Sequence, residues 1–149
     1  MLQWVIKMNE IINIKDYLKE NFDNETEIIE IKNKNIPIYL KQKYSMYQTM
    51  ICDKECLLLV SKDNKILIKQ LLKHIEQFNA LGYEHIVFCF QSINTEQRKR
   101  LLDYKIAYII PYIQIYLPFI YLNINEKYKK ERQSNFFTQY RKLLCFWNR

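Results

Sequence analysis

The chain has 149 residues, of which 49% are hydrophobic and 15% aromatic, a composition that favours one domain with a hydrophobic core over a disordered chain. It contains one glycine, Gly82, and three prolines. Glycine-rich phosphate-binding loops are therefore excluded, and with them the P-loop and dinucleotide-binding classes. The sequence has no run of 18 apolar residues, and its first ten residues do not form a secretory signal, which predicts a cytoplasmic protein.

The formal net charge of +7 is unevenly distributed. Residues 1–124 carry 16 basic and 14 acidic residues, whereas residues 125–149 carry seven basic and two acidic ones. Such a basic tail is suited to phosphates, anionic lipid or an acidic partner, although it is also typical of a solvated helix face. The candidate nucleic-acid-binding or anion-binding residues of the tail are Lys127, Lys129, Lys130, Arg132, Arg141 and Lys142.

Hydrophobic periodicity predicts five elements in the first part of the chain: a helix, a strand, a helical turn opened by Pro37, and the two strands of a hairpin. The last of these strands contains the continuous apolar run CLLLV, which is typical of a central strand buried on both faces. In chain order the five elements cover residues 9–21, 27–32, 37–44, 46–52 and 56–61.

The second part of the chain predicts helices and strands in alternation. The clearest helix is followed by Gly82 in the position of a C-terminal cap, and Asn94 with Gln97 forms a capping box at the start of the next helix. The predicted helices cover residues 66–81 and 94–104, the strands cover 85–90, 106–110 and 114–117, and a helical tail begins near Asn125.

This order predicts an α/β fold with a mixed, partly parallel sheet flanked by helices, because helices of this length serve as crossover connections between parallel strands. The order of hairpin, helix, strand, helix and strand is also that of restriction-endonuclease-like folds. We therefore predict an α/β domain over residues 1–124 and a basic, helical tail over residues 125–149.

A metal-dependent nuclease would need clustered acidic residues and a lysine on the hairpin strands. Lys62 stands in a suitable place, but Val60 occupies the position where an acid is required. Asp53 and Glu55 belong to the predicted connection 53–55, where carboxylates are usually solvated. The sequence therefore predicts a protein that is not an enzyme.

The cysteines and histidines do not have the spacing of a metal site. Cys52 and Cys56 form a CxxxC pair without a second close pair, so we expect all four cysteines to be thiols, with no metal and no cofactor. His74 is expected at the surface of its helix, and His85 lies beside Glu84 without a nucleophile placed to use it.

Charged and aromatic clusters near the last strands allow two interpretations. The triplet Arg98-Lys99-Arg100 cannot share one helix face, so we expect one side chain to pack against the sheet and the others to be exposed. An anion or partner contact by the triplet is the alternative. The aromatic residues of this region are expected in the core or on an exposed aromatic surface; they are Tyr112, Tyr116, Phe119 and Tyr121.

Several short motifs resemble a segment of Firmicute MarR-type winged-helix transcriptional regulators. The segment in those bacterial proteins has an R-K-R-L core in a helix, a strand ending in I-V-P, and a Y-L-P-F turn. In those regulators the segment begins with L-P-F-F-L-K, which is followed by a tyrosine. The matching residues here are Ile36-Pro37-Ile38-Tyr39-Leu40-Lys41, Tyr44, Arg98-Lys99-Arg100-Leu101, Ile109-Ile110-Pro111 and Tyr116-Leu117-Pro118-Phe119.

The resemblance, which spans roughly residues 35–124, implies a non-enzymatic regulatory or interaction domain. In those regulators the DNA-reading winged helix follows this region, but only 25 residues follow position 124 here, fewer than the roughly 60–80 of a winged helix. Residues 135–148 are expected to be the first helix of that missing module. The alternative is a nucleic-acid-binding or nuclease-type protein with a degenerate site.

The tail also carries apolar residues that we expect to be covered by a protein partner or by a second copy of the chain. Nucleic acid is the other expected partner, and a membrane is not expected. The candidate partner-binding residues are Phe136, Phe137, Phe146 and Trp147.

Overall fold

A computed structural model describes residues 2–22, 27–63, 65–126 and Cys145, with side chains described from Lys7 onward. Four α-helices, a short 3-10 helix and seven strands make up these residues. In chain order they are α1 (Leu2–Phe22), β1 (Ile29–Glu30), α2 (Ile38–Lys43), β2 (Tyr44–Ile51), β3 (Lys54–Ser61), α3 (Ile68–Ala80), β4 (His85–Cys89), α4 (Thr95–Asp103), β5 (Tyr108–Ile110), β6 (Gln114–Leu117), the 3-10 helix (Pro118–Ile120) and β7 (Leu122–Asn125).

The seven strands form one mixed sheet in which spatial order follows chain order. Strand β3 is parallel to β4, and β4 is parallel to β5, while the remaining neighbours are antiparallel. The two parallel pairs require crossover connections, which α3 and α4 supply. The predicted α/β class with a partly parallel sheet is therefore confirmed.

Helices cover both faces of the sheet and produce three layers. Helix α1 packs on one face through Ile14, Tyr17 and Leu18, and helices α2, α3 and α4 pack on the other. Successive residues of the central strands point to opposite faces, so Leu58 joins the α1 side and Leu59 joins the α3 side. Every residue from Cys56 to Val60 is buried, as the run CLLLV predicts.

Helices α3 and α4 end in the same backbone motif, which the sequence reveals for only one of them. After α3, Gly82 has φ +98°, and the amides of Gly82 and Tyr83 donate to the carbonyls of Asn79 and Phe78. After α4, Lys105 takes the glycine position with φ +53°. Both ends match the Schellman motif. The capping box of Asn94 and Gln97 is present as predicted.

The structure corrects the predicted hairpin turn. The β2–β3 connection is Cys52-Asp53, with φ of +51° and +64°, between the paired residues Ile51 and Lys54. Two-residue hairpin turns of this left-handed kind usually contain asparagine and glycine. Neither residue type is present in this turn, so the sequence gives no sign of where it lies. The predicted connection 53–55 therefore falls too far along the chain.

Strand β7 is a second difference from the prediction. It pairs with β6 from Leu122 to Asn125, in residues that the sequence leaves between the last predicted strand and the tail. Tyr121, with φ +55°, reverses the chain between the 3-10 helix and this strand. In the part of the chain that is described, no helix combines the length and apolar character needed to cross a membrane.

Candidate functional site

The candidate residues predicted in the tail lie outside the described residues. These are the basic residues Lys127, Lys129, Lys130, Arg132, Arg141 and Lys142, and the apolar residues Phe136, Phe137, Phe146 and Trp147. The predicted helix over 135–148 lies outside them as well, except for Cys145.

Cys145 is bonded to Cys52 across a sequence separation of 93 residues, with a Cα–Cα distance of 4.6 Å. The prediction that all four cysteines are thiols is therefore wrong for this pair, because sequence spacing does not reveal which distant cysteines meet. Cys56 and Cys89 are buried thiols as expected. Burial raises the pKa of Cys56 to about 12 and also raises that of Cys89, so neither is a reactive nucleophile.

A groove lined by five lysines is a strongly charged feature of the described residues. We call it the lysine groove. It has a volume of about 370 Å³ and lies where the segment after β1, the start of β2 and the end of β3 meet helices α1 and α2. Its charged lining residues are Lys7, Glu30, Lys32, Lys34, Lys41 and Lys62.

Backbone hydrogen bonds bring these sequence-distant lysines together. The amide of Ile31 donates to the carbonyl of Met46 at 3.0 Å, which extends the β1–β2 pairing and holds the segment with Lys32 and Lys34 beside β2. The amide of Lys62 donates to the carbonyl of Lys43 at 3.1 Å and thereby joins the end of β3 to α2. Four separate elements therefore converge on the groove.

The lysine groove carries an excess of positive charge. Glu30 is its only acidic lining residue and is already paired with Lys7, the Nζ–Oε1 distance being 3.1 Å. Burial acts to lower the pKa of Lys7, but the hydrogen bond and charge of Glu30, together with Tyr47, outweigh it and raise this pKa. Lys32, Lys34, Lys41 and Lys62 are left without a matching carboxylate in the lining, which is the electrostatic arrangement that attracts a polyanion.

Lys62 lines the lysine groove next to α2 and precedes Asp63 in the chain. Its ammonium donates to the carbonyl of Lys41 at 3.0 Å. Asp53 lies in the turn at the far end of β3, about 25 Å away by the rise of an eight-residue strand. The described residues hold no group of three histidine, cysteine or acidic residues arranged for a metal ion.

His74 is a buried residue, which corrects its expected place at the surface. It is 4% exposed, and its Nδ1 lies 2.7 Å from Tyr44 Oη, at the border of the lysine groove. Burial, and then the charges of Lys43 and Lys73, lower its pKa. Burial, and then the charge of Asp63, raise the pKa of Tyr44. Both partners are therefore neutral, and the contact is structural.

His85 and the basic triplet do not form a reactive site. The His85 ring stacks on Phe119, with ring centroids 4.6 Å apart, and its Nε2 lies 3.9 Å from the exposed carboxylate of Glu84. Arg98 is half-buried, whereas Lys99 and Arg100 are exposed, as expected for three consecutive helical residues.

The aromatic residues near the last strands divide between the interior and the surface. Tyr116 and Phe119 are half-buried, while Tyr112 and Tyr121 are 50% and 86% exposed. Residues of the regulator-like motifs such as Leu101, Ile109 and Leu117 are fully buried. Those motifs therefore largely specify the core.

Comparison of the chain with protein-family models, curated proteins and solved structures found no match. The similarity to winged-helix regulators consequently rests on the sequence motifs alone.

Proposed function

We propose that this chain is a non-enzymatic regulatory domain that holds the phosphate backbone of a nucleic acid in the lysine groove. The single observation that carries the proposal is the convergence of four lysines, from three separate parts of the chain, on a groove whose only acidic lining residue is already paired with a fifth lysine. The motif resemblance to the N-terminal half of transcriptional regulators supports the same role.

Lysine is suited to this task because its ammonium is a compact point charge that contacts phosphate without reading base edges. We therefore expect binding that depends little on sequence and strongly on salt. Four phosphate contacts would weaken duplex binding about 100-fold between roughly 50 and 200 mM salt, since each contact releases condensed counterions. The basic tail would extend this surface.

The proposal is tested by measuring the fluorescence anisotropy of a labelled DNA duplex of about 20 base pairs across this salt range. The variant Lys41→Ala/Lys62→Ala removes two groove charges. Its affinity should fall at least about tenfold, and the slope of log affinity against log salt should decrease in magnitude by about 2.

The matched control is Lys15→Ala/Lys19→Ala, which removes the same charge from exposed positions on α1 outside the groove. It should retain the affinity of the unchanged chain. Equal losses in the two variants would show that only net charge matters and would refute a specific role for the groove. A third variant with alanine at the six basic tail positions separates the contribution of the tail.

A further inference from the structure

A second groove lies at the carboxyl ends of the three parallel strands. It has a volume of about 260 Å³ and lies beneath Glu10, Asn13 and Ile14 of α1. Its strand-end lining consists of the last two residues of β3 (Val60 and Ser61), the last residue of β4 (Cys89) and the residues that follow β4 and β5 (Phe90, Gln91, Pro111 and Tyr112). We call it the strand-end groove. The carboxyl edge of parallel strands is the usual place for ligands in α/β sheets, because the chain leaves the strands there and opens a crevice.

The chain direction explains this opening. From β3 and β4 the chain continues into α3 and α4, which cover one face of the sheet. Helix α1 covers the opposite face. Because the chain leaves β3 and β4 toward the other face, the space between α1 and the strand ends remains open.

The charge of the strand-end groove is opposite to that of the chain as a whole. Glu10 is its only charged lining residue, and none of the lining residues is a lysine, arginine or histidine, although the net charge of the chain is +7. Gln91 donates its side-chain amide to one carboxylate oxygen of Glu10. Neither of the two ion pairs found among the described residues includes Glu10.

The remaining polar lining residues add hydrogen-bond acceptors. The hydroxyl of Ser61 donates to the carbonyl of Asp63 at 2.5 Å, which leaves its lone pairs free to accept. The side chains of Asn13 and Gln91 each contribute an amide oxygen. Burial also raises the pKa of Glu10, a shift that a nearby cation would oppose.

The ring of Tyr112 forms an aromatic wall of the strand-end groove, and the backbone of this residue is strained. The amide of Ile113 donates to the carbonyl of Ile110 at 3.0 Å, which closes a turn with Pro111 second and Tyr112 third. Tyr112 has φ +64° there, a conformation that glycine favours and that other residues adopt at a steric cost. The Tyr112 ring packs on Tyr17, with centroids 5.4 Å apart. The turn thereby places the Tyr112 ring at the groove, where it is half exposed.

We propose that the strand-end groove binds a small organic cation, a protonated primary amine on a compact apolar body. The ammonium contacts the free oxygen of Glu10 and the acceptors around it. The body lies against Phe90, Pro111 and the face of Tyr112, where a cation is further stabilised by the ring. The volume is below the roughly 300–1,000 Å³ of cavities that hold drug-sized ligands, which limits the ligand to a compact molecule. This site would give a regulatory domain its effector.

The proposal is tested by titrating the full chain with 2-phenylethylamine and, separately, with the neutral analogue 2-phenylethanol, with binding followed by calorimetry and by backbone amide chemical shifts. We expect the amine to bind at least about tenfold more tightly than the alcohol, which corresponds to one charge-assisted contact. The amide signals of Ser61 and Gln91 should shift on binding. Equal affinities, or no binding of the amine, would overturn the proposal.

Two variants and a control locate the interaction. Glu10→Gln removes the charge while keeping the shape and should weaken amine binding about tenfold. Tyr112→Gly suits the turn and should weaken binding without lowering the unfolding temperature. Asp16→Asn, which removes a charge from an exposed position on the same helix, should leave binding unchanged. Unaltered binding by Glu10→Gln would contradict the proposed site, and these outcomes are independent of the lysine groove.

Discussion

The contact between His74 and Tyr44 joins helix α3 to strand β2 inside the core. The two rings meet edge to face, with centroids 5.4 Å apart, in addition to the hydrogen bond at Nδ1. Burial keeps His74 neutral, so its Nδ1 either accepts from the tyrosine hydroxyl or donates to it, according to the imidazole tautomer. The contact therefore depends on the protonation state of one imidazole.

Lowering the pH from about 7.5 to about 5.5 is expected to destabilise the protein through His74. The pKa of His74 is lowered in the folded chain from its ordinary 6.5, so the unfolded chain binds the proton more readily. The stability supplied by neutral His74 is thus present above about pH 6.5 and is lost as the pH falls below it, by at most about 1.4 kcal/mol per pH unit. Urea unfolding at the two pH values measures this loss.

His74→Phe should reduce this pH dependence, because it keeps an aromatic ring and removes the titrating group. His85→Phe is the matched control, since it preserves the stacking on Phe119 and should leave the pH dependence as it is. Carboxylates such as Glu10 titrate in all three proteins and cancel in the comparison. An unchanged pH dependence in His74→Phe would contradict the expected role of His74.

The burial of His74, but not its partner, could be predicted from the sequence. Leu71 and Phe78 lie three residues before it and four after it, and both are buried, so helical spacing places His74 on the same face. Its polarity led to the opposite prediction. Tyr44 is 30 positions away along the chain, and local periodicity carries no information about that pairing.

At the scale of elements, the ends of α3 and α4 show one motif built with two different residues. After α3, the rings of Phe78 and Tyr83 pack edge to face across the motif, with centroids 6.1 Å apart. After α4, the amide of Ile106 donates to the carbonyl of Leu101 at 2.9 Å, and both side chains are buried. The packing is equivalent, and only the residue in the left-handed conformation differs.

Lys105→Gly is therefore expected to stabilise the protein by about 0.5–1 kcal/mol, because glycine adopts a positive φ without steric cost. Gly82→Ala is the reciprocal change and should destabilise by about 1 kcal/mol. A Cβ at Gly82 would meet no atom within 4 Å, so the backbone angle alone accounts for that loss. Chemical denaturation of both variants measures the effects. A neutral or destabilising Lys105→Gly would contradict the steric explanation.

Elements with a strong local signal could be predicted, and elements defined by long-range pairing could not. The strand from Cys56 to Val60 and the capping box at Asn94 can each be recognised from a few consecutive residues. Strand β7 has only four residues and exists because it pairs with β6. The lysine groove is hidden for a similar reason, since its lysines come from α1, the segment after β1, α2 and the end of β3.

At the scale of the whole molecule, the two grooves carry net charges of opposite sign. The lysine groove collects positive side chains at the β1–β2 side of the sheet, whereas the strand-end groove carries Glu10 alone. Val60 and Ser61 line the second groove, and the adjacent Lys62 lines the first. The end of β3 is therefore the boundary that the two grooves share.

The Cys52–Cys145 bond ties the chain near its carboxyl end to the α1 side of the sheet, where Cys145 packs against the core. Closing a loop across 93 residues restricts the unfolded chain strongly, and such bonds typically contribute about 2–4 kcal/mol. Structural disulfides are typical of oxidising compartments, so this pair would not be expected from a cytoplasmic location.

Cys145→Ser is accordingly expected to lower the free energy of unfolding by about 2–4 kcal/mol without reductant. Under dithiothreitol the unchanged chain should lose the same amount and become equal to the variant, which makes reduction the internal control. Thiol labelling of the denatured, unreduced chain should detect Cys56 and Cys89 only. Labelling of all four cysteines, together with equal stabilities of the variant and the unchanged chain in the absence of reductant, would show that the bond does not form.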